Sequence, residues 1–363
     1  MSPVFGIDAR AATEEGAGGG RVVRELVRAI ALHEDEHGYV LYARQSWAEP
    51  LDQRFEWRLD TAPDPLWHIR IARDANRHCD AFLSTNSYLT VWFLRVPAVP
   101  MVFDLVAFDR SLRPQLRSGL IERLTLPLAV RRASALLAIS QATADALVER
   151  FPGAAGRVAV APLAAAPALG QAQSDLPPGV PDSGFVLAVG TLEPRKNLPR
   201  LVAAYRRLPK AVQDRHPLVV AGRLGWGKGE TLRALGSLGD RAIQTGFVPD
   251  GQLALLYERC ALFAYPSLGE GFGLPVLEAM AAGAPVLTSD RSSLPEVGGD
   301  AAAYCDPSDE AAIAEALQNL VENPEELDRL RAAGRQRVAQ FSWTKTAAVV
   351  RATLERVAQG TPT

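Results

Sequence analysis

The chain repeats one pattern from end to end: a short apolar run closed by turn residues, then a stretch with helical spacing. Such alternation predicts parallel α/β units, because parallel strands need helical crossovers between them. In the first half the expected strands are Val4–Ala9, Tyr39–Ala43, Ala81–Thr85, Pro100–Asp104, Ala135–Ser140 and Arg157–Ala161. In the second half they are Phe185–Gly190, Leu218–Gly222, Ile243–Val248, Leu262–Pro266, Pro285–Ser289 and Ala302–Cys305. Most are continuously apolar, as strands covered by helices on both faces must be. After Cys305 the pattern is helical through Ala358, broken near Pro307, Pro324 and Phe341–Trp343.

A chain of 363 residues is long enough for two cores. The stretch Pro162–Gly184 is rich in proline, glycine and small residues and has no sustained period, so it reads as a linker. The expected division is residues 1–165, a linker at 166–183, a second domain at 184–340 and a terminal segment at 341–363. Each domain is expected to be Rossmann-like, the two facing a central cleft.

Composition narrows the function. A net charge of −2 argues against a protein held to nucleic acid by overall charge. No window approaches the ~18 apolar residues of a membrane span. The opening MSPVFGIDAR has no basic and apolar leader pattern, and Cys79, Cys260 and Cys305 are too few and too scattered for a disulfide framework. Both point to a cytoplasmic protein. Lysine is absent until Lys196, and only Lys196, Lys210, Lys228 and Lys345 occur.

Three motifs mislead. His33-Glu34-Asp35-Glu36-His37 has the letters of a zinc-protease helix, but Gly38 follows at once, so it is read as a solvated turn before a strand. Gly222-Arg223-Leu224-Gly225-Trp226-Gly227-Lys228-Gly229 nearly makes a phosphate loop, yet Gly229 stands where a hydroxyl should bind magnesium. Gly16-Ala17-Gly18-Gly19-Gly20-Arg21 has Arg21 in place of the third glycine of a dinucleotide fingerprint. It remains a glycine loop at a strand-to-helix junction, where backbone can approach a phosphate or sugar.

Two segments of the second half carry the chemistry. Gly190-Thr191-Leu192-Glu193-Pro194-Arg195-Lys196-Asn197 follows an apolar strand and precedes a helix. A planar guanidinium and a compact ammonium at the carboxyl end of a parallel strand suit a diphosphate. In Ser267-Leu268-Gly269-Glu270-Gly271-Phe272-Gly273-Leu274-Pro275-Val276-Leu277-Glu278, Pro275 marks the first turn of a helix. Gly271, Phe272, Gly273 and Leu274 then lie at its positive end, with Glu270 in the loop before it and Glu278 inside it.

GTLEPRKN, EGFGLPVLE, Gly283-Ala284-Pro285-Val286 and Ser293-Leu294-Pro295-Glu296-Val297 together resemble the retaining nucleotide-sugar glycosyltransferases of family 4, the group 1 enzymes of GT-B fold. The likeness spans the whole second domain. In the first it is carried by Gly18 and Gly20, Asp104-Leu105 and Ala138-Ile139-Ser140-Gln141-Ala142-Thr143. The resemblance implies an acceptor-binding first domain, a donor-binding second domain and a terminal helix crossing back to the first. It implies that Arg195 and Lys196 neutralise the donor diphosphate, Glu278 receives the ribose, and Glu270 with residues 271–274 lies against the sugar and phosphates. Val248 takes the base-contacting position, Gly190, Gly18 and Gly20 lie along the donor, and Asp104 joins the catalytic set.

It further implies hexosyl transfer without metal or cofactor to a saccharide or lipid-linked acceptor in bacterial polysaccharide or glycolipid synthesis. The GTLEPRKN variant looks mannosyl- or rhamnosyl-type, making GDP-mannose the first expected donor. One position departs from the family: Phe103 precedes Asp104-Leu105 where members commonly carry histidine. That leaves a second reading, a sugar-nucleotide-binding protein with little catalysis. Finally, Arg110, Arg113 and Arg117 recur at spacings of three and four near Arg123, Arg131 and Arg132, with Glu122 the only acid among them. On one helix they would form either a solvated face or a basic face for anionic membrane or a pyrophosphate-linked lipid at the inner side of the cell membrane.

Overall fold

A computed structural model describes residues 2–14, 18–48, 50–85, 87–112, 115–166 and 175–360. The chain divides into two compact units. The first comprises Met1–Phe108, Leu116–Leu163 and Ser342–Thr363, and the second comprises Asp109–Gln115 and Ala164–Phe341.

The first unit is built on seven parallel strands. They are β1 (Val4–Asp8), β2 (Gly38–Ala43), β3 (Phe55–Leu59), β4 (Ala81–Ser84), β5 (Ala98–Val102), β6 (Leu136–Ala138) and β7 (Val158–Val160). Their order across the sheet is β3-β2-β1-β4-β5-β6-β7. The order reverses at β1, so the chain winds outward from the middle in both directions, as in a Rossmann fold. The second unit repeats this with β8 (Val186–Val189), β9 (Leu218–Ala221), β10 (Ala242–Gly246), β11 (Leu262–Tyr265), β12 (Val286–Ser289) and β13 (Ala303–Cys305), ordered β10-β9-β8-β11-β12-β13. Its reversal lies between β8 and β11, which pair directly at Leu262 and Val186. The core of this unit gathers Val186, Leu201, Tyr205, Leu218, Leu287, Ile313 and Leu317, each almost fully buried, from strands and the helices packed on them.

Sequence and structure differ where burial is one-sided. Strand β3 is absent from the expectations because FEWRL carries charge at alternate positions and never forms an apolar run. As the edge of the sheet it needs cover on one face only. Strand β5 begins two residues before the expected Pro100, at Ala98. Of the expected linker, residues 167–174 lie outside the described residues, as do Gly16, Ala17 and Arg113.

The terminal helix Trp343–Ala358 is counted with the first unit and packs on the helix Gly19–Ala31. The segment His33–His37 is a turn before β2 with Glu34 and Glu36 exposed, but the reading of it as solvated does not hold for Asp35 and His37. The Asp35 side chain is only 6% exposed and takes Arg54 at 2.8 Å and Arg351 of the terminal helix at 2.9 Å, while His37 meets Glu355 at 2.9 Å. The acidic segment is thus a fastening for that helix.

The single basic helix face is also corrected. Arg110 belongs to a separate 3-10 turn, Arg110–Leu112, and only Arg117, Arg123, Arg131 and Arg132 lie on the helix Leu116–Arg132. Arg123 turns inward and donates to the carbonyl of Ala107.

Candidate active site

The site forms at the carboxyl ends of β8 and β11, where the order of the second sheet reverses and strand ends splay enough to admit a ligand. Gly190 ends β8. A Cβ on Gly222, at the end of β9, would lie 1.9 Å from the carbonyl oxygen of Gly190. Glycine at 222 therefore lets the two strand ends approach closely.

The chain after β8 makes a 3-10 turn, Pro194–Lys196, and Asn197 reverses it with a positive φ of 60°. The Asn197 amide donates to the carbonyls of Pro266 at 2.9 Å and Pro307 at 2.7 Å. Leu268 N–H and Ser267 Oγ both donate to the carbonyl of Arg195, at 2.9 and 3.0 Å. These bonds lock the loop after β8 to the loop after β11 and fix the cations against the second motif.

Glu270 lies at the centre. Its Oε1 receives Lys196 Nζ at 2.8 Å, Tyr265 OH at 2.8 Å and Ser267 Oγ at 2.5 Å, while Oε2 pairs with Arg195. Lys196 also donates to the Tyr265 hydroxyl and sits 4.9 Å over its ring. Glu193 holds the other edge of the Arg195 guanidinium, accepting from Nε at 3.1 Å and Nη2 at 2.7 Å. Burial opposes ionisation of Glu270, but Arg195 and Lys196 outweigh it and hold its pKa at about 2. Burial raises the pKa of Glu193, with Arg195 and Lys196 opposing. Two cations face two carboxylates, a compensated cluster in which the cations already point at an acidic group.

Gly273, with φ 103°, caps the helix Leu274–Ala281, and Pro275 sits in its first turn. A Cβ at 273 would strike Leu294 at 2.7 Å. Ser293 Oγ donates to the carbonyls of Glu270 and Phe272, at 2.9 and 2.8 Å, so the glycine turn is held from behind. Glu278 is buried in this same helix.

Beside this cluster, at the ends of β9 and β10, lies a cavity of about 620 Å³ lined by Leu192, Gly222, Arg223, Gln244 and Phe247 among others. The Arg223 guanidinium stacks 4.2 Å from the centre of the Phe247 ring. The near phosphate loop of the sequence supplies this wall: Gly225 N–H donates to the Leu192 carbonyl at 3.2 Å, and Leu192 bridges Leu224.

The structure brings Gly190, Arg195, Lys196, Glu270, Gly271, Phe272, Gly273 and Leu274 together at one strand junction, with Glu278 on the adjoining helix. Val248 follows β10 at the same carboxyl edge of the sheet and is buried. Gly18, Gly20 and Asp104 belong to the first unit. Gly18 caps the helix Gly19–Ala31 after β1, and Asp104 follows β5, where its Oδ1 accepts from Val106 N–H at 3.0 Å. Tyr265, Glu193, Arg223 and Phe247 carry no role in the sequence reading. Tyr265 looks like one more apolar strand residue, and only its placement opposite Lys196 distinguishes it.

Residues 177–337 match the family model for glycosyl transferases group 1. Most of the second unit is thus similar to the group 1 glycosyl transferases. A stretch of 163 residues is 42% identical to the O-antigen chain mannosyltransferase B of Escherichia coli, covering 44% of this chain and 42% of that protein. Over 232 residues it is 37% identical to the serotype-specific mannosyltransferase WbdA of the same species, covering 60% of this chain and 28% of that one. The chain thus spans less than half the length of these two relatives. Over the whole chain the fold is that of GT-B structures. Sucrose-phosphate synthase from Thermosynechococcus elongatus matches with TM-score 0.75 at 18% identity over 99% of this chain and 100% of that one. WaaG, a glycosyltransferase of lipopolysaccharide biosynthesis, matches with TM-score 0.71 at 15% identity over 97% and 99%.

Among the described residues no group of three or more His, Cys, Asp or Glu side chains is placed to hold a metal ion, and no helix is long and apolar enough to cross a membrane.

Proposed function

We propose that this chain is a retaining, metal-independent hexosyltransferase that moves mannose from GDP-mannose to a saccharide or lipid-linked acceptor during polysaccharide synthesis. The observation that carries the reading is the convergence of Arg195 and Lys196 on one carboxylate beside a glycine-capped helix start. The mannosyltransferase names of its relatives support the sugar, and the cavity beside Arg223 and Phe247 is roomy enough for a nucleobase.

In this reading the donor diphosphate lies against Arg195, Lys196 and the turn Gly271–Leu274, with Gly190 beneath it. Glu270 lies against the sugar, Glu278 accepts from the ribose hydroxyls, and Val248 borders the base. As the glycosidic bond breaks, the departing diphosphate gains negative charge. Fixed cations and a helix start favour that state over the bound donor, which is the requirement for catalysis. Attack from the face the diphosphate leaves would retain configuration, with a phosphate oxygen taking the acceptor proton. Asp104 and the glycines Gly18 and Gly20 of the first unit serve the acceptor side and the donor's near edge.

The test is transfer and hydrolysis measured across GDP-, UDP- and dTDP-sugars, alongside the melting temperature with each nucleoside diphosphate. Turnover of GDP-mannose and stabilisation by GDP are expected, and tight binding of none of these donors would refute the proposal. Phe103 motivates a second reading, a binding protein with little catalysis, because its ring can neither donate a hydrogen bond nor carry a proton. That reading predicts nucleotide binding by calorimetry, no turnover with any acceptor, and no gain from Phe103→His.

A further inference from the structure

The second unit holds another cavity, of about 550 Å³, next to the candidate site but apart from it. Pro194 and Asn197 of the loop after β8 and Leu268 of the loop after β11 wall it, whereas Arg195, Lys196 and Glu270 do not line it. Its described lining residues all belong to the second unit. Its volume lies within the ~300–1,000 Å³ of ordinary small-molecule pockets. Three helices begin at its wall, Leu198–Arg206, Lys228–Gly236 and Glu310–Val321. Arg200 braces the wall, its guanidinium donating to Asn197 Oδ1 at 2.8 Å and to the carbonyl of Pro307 at 3.2 Å. A Cβ on Gly227 would come within 2.7 Å of the Pro194 ring, so glycine there seats the second helix against the loop.

One side chain in this wall is unused by the fold. Thr231 is 2% exposed and lines the cavity, and no group among the described residues hydrogen-bonds to its hydroxyl. Burying a hydroxyl is favourable only once it is bonded, so its presence here points to a polar ligand that meets it. The charges say which kind. Asp109, Glu230 and Glu310 line the cavity against Arg200 and Arg291, and Arg291 is already paired with Asp290 and Asp306 at 3.1 and 3.0 Å. Glu230 and Glu310 also occupy the first turns of two of the helices, where they answer the positive helix starts that would otherwise draw an anion. That balance disfavours a phosphate or a carboxylate. An uncharged polyhydroxylated ligand fits it: carboxylates accept from hydroxyl groups, guanidinium groups donate to them, and threonine does either. Leu268 and Pro199 offer apolar surface to the C–H faces of a sugar ring.

We propose that this cavity is a second carbohydrate site, which holds a segment of a neutral saccharide with Thr231, Glu230, Glu310 and Arg200 meeting its hydroxyl groups. It shares Pro194 and Asn197 with the loop that carries Arg195 and Lys196, so a saccharide held here lies within one loop of the proposed donor site. The assignment concerns sugar bound without a nucleotide, and it stands or falls separately from the donor and from turnover.

The experiment is isothermal titration calorimetry of the full chain with mannotriose, with maltotriose and with inorganic phosphate, no nucleotide being present. Saturable binding of at least one of the trisaccharides is expected. Thr231→Val keeps the side-chain shape and removes the hydroxyl, and Glu310→Gln removes one exposed charge. Each should weaken trisaccharide binding about fivefold. Thr231→Val should melt no lower than the wild type, because its hydroxyl bonds to nothing in the fold. Any response to phosphate should be the same in Thr231→Val as in the wild type, and so should any shift in melting temperature produced by GDP. The inference is overturned if neither trisaccharide binds or if either variant binds it with wild-type affinity, which would put the sugar elsewhere. It is equally overturned if Thr231→Val melts lower, which would give the hydroxyl to the fold, or if that variant loses affinity for phosphate or GDP, which would make the cavity an anion site.

Discussion

Replacing Glu270 by glutamine keeps the shape of the central side chain and removes its charge, leaving Arg195 and Lys196 facing a neutral amide. The loss can be worked from the structure in two ways. Arg195 and Lys196 draw the carboxyl from an ordinary 4.5 down to about 2, which is worth about 3 kcal/mol at neutral pH. Breaking a buried ion pair by removing one partner costs about 3–5 kcal/mol. For a unit of this size, about 3–5 kcal/mol is a fall of about 6–20 °C in melting temperature. Because the folded-state pKa lies below the unfolded one, the contribution is complete above about pH 4.5 and is lost as pH falls toward 2. Calorimetry of both proteins from pH 7 down to pH 2 should show their difference shrinking to about half near pH 3. The variant should also gain more from a nucleoside diphosphate than the wild type, since phosphate supplies the missing negative charge. A difference that stays constant with pH would mean that packing, not charge, holds Glu270, and an equal ligand response would remove the diphosphate from these cations.

The other expectations address the remaining parts of the molecule. Lys196→Ala should lower turnover at least about a hundredfold in a donor-transfer assay, the scale of one lost electrostatic contact to the transition state, whereas His33→Ala should leave turnover unchanged. Gly222→Ala forces a Cβ into the Gly190 carbonyl, so the variant should express largely insoluble or melt far below the wild type. Glu122→Gln tests the half-buried carboxyl of the first unit. Its folded pKa is raised to about 8, so its stabilising contribution is present below about pH 4.5 and is lost as pH rises to 8. Urea unfolding should find the variant equal to wild type at pH 4.5 and more stable by about 4 kcal/mol at pH 8.

The candidate site of the second unit was largely legible in its sequence, and the reason is local. Arg195 and Lys196 follow β8 within one loop, and Glu270 through Leu274 follow β11 within another, so two short segments carry the chemistry. The sheet order then needs only one adjacency, β8 beside β11, to join them. Tyr265 was not legible because a strand's alternation does not tell which residue ends opposite a cation, and Arg223 and Phe247 were not because they are 24 positions apart on neighbouring strand ends. The acidic segment His33–His37 misled in a similar way. Its partners Arg351 and Glu355 lie more than three hundred residues downstream, and no local pattern announces them.

The same reasoning explains why basic residues were overcounted between Arg110 and Arg132. Spacing alone places every arginine on a helix, but the chain spends Arg110 in a 3-10 turn and folds Arg123 inward to a carbonyl. What remains outward is a smaller positive set, and it is joined by four aliphatic side chains that a search for charge ignores. Charge counts distinguish such a face from a solvated one poorly, because a solvated helix and a bilayer-facing helix can carry the same arginines. The discriminating quantity is what lies between the charges. Leu116, Leu120, Ile121 and Leu124 fill those positions here, and the spacing of the arginines alone does not reveal them.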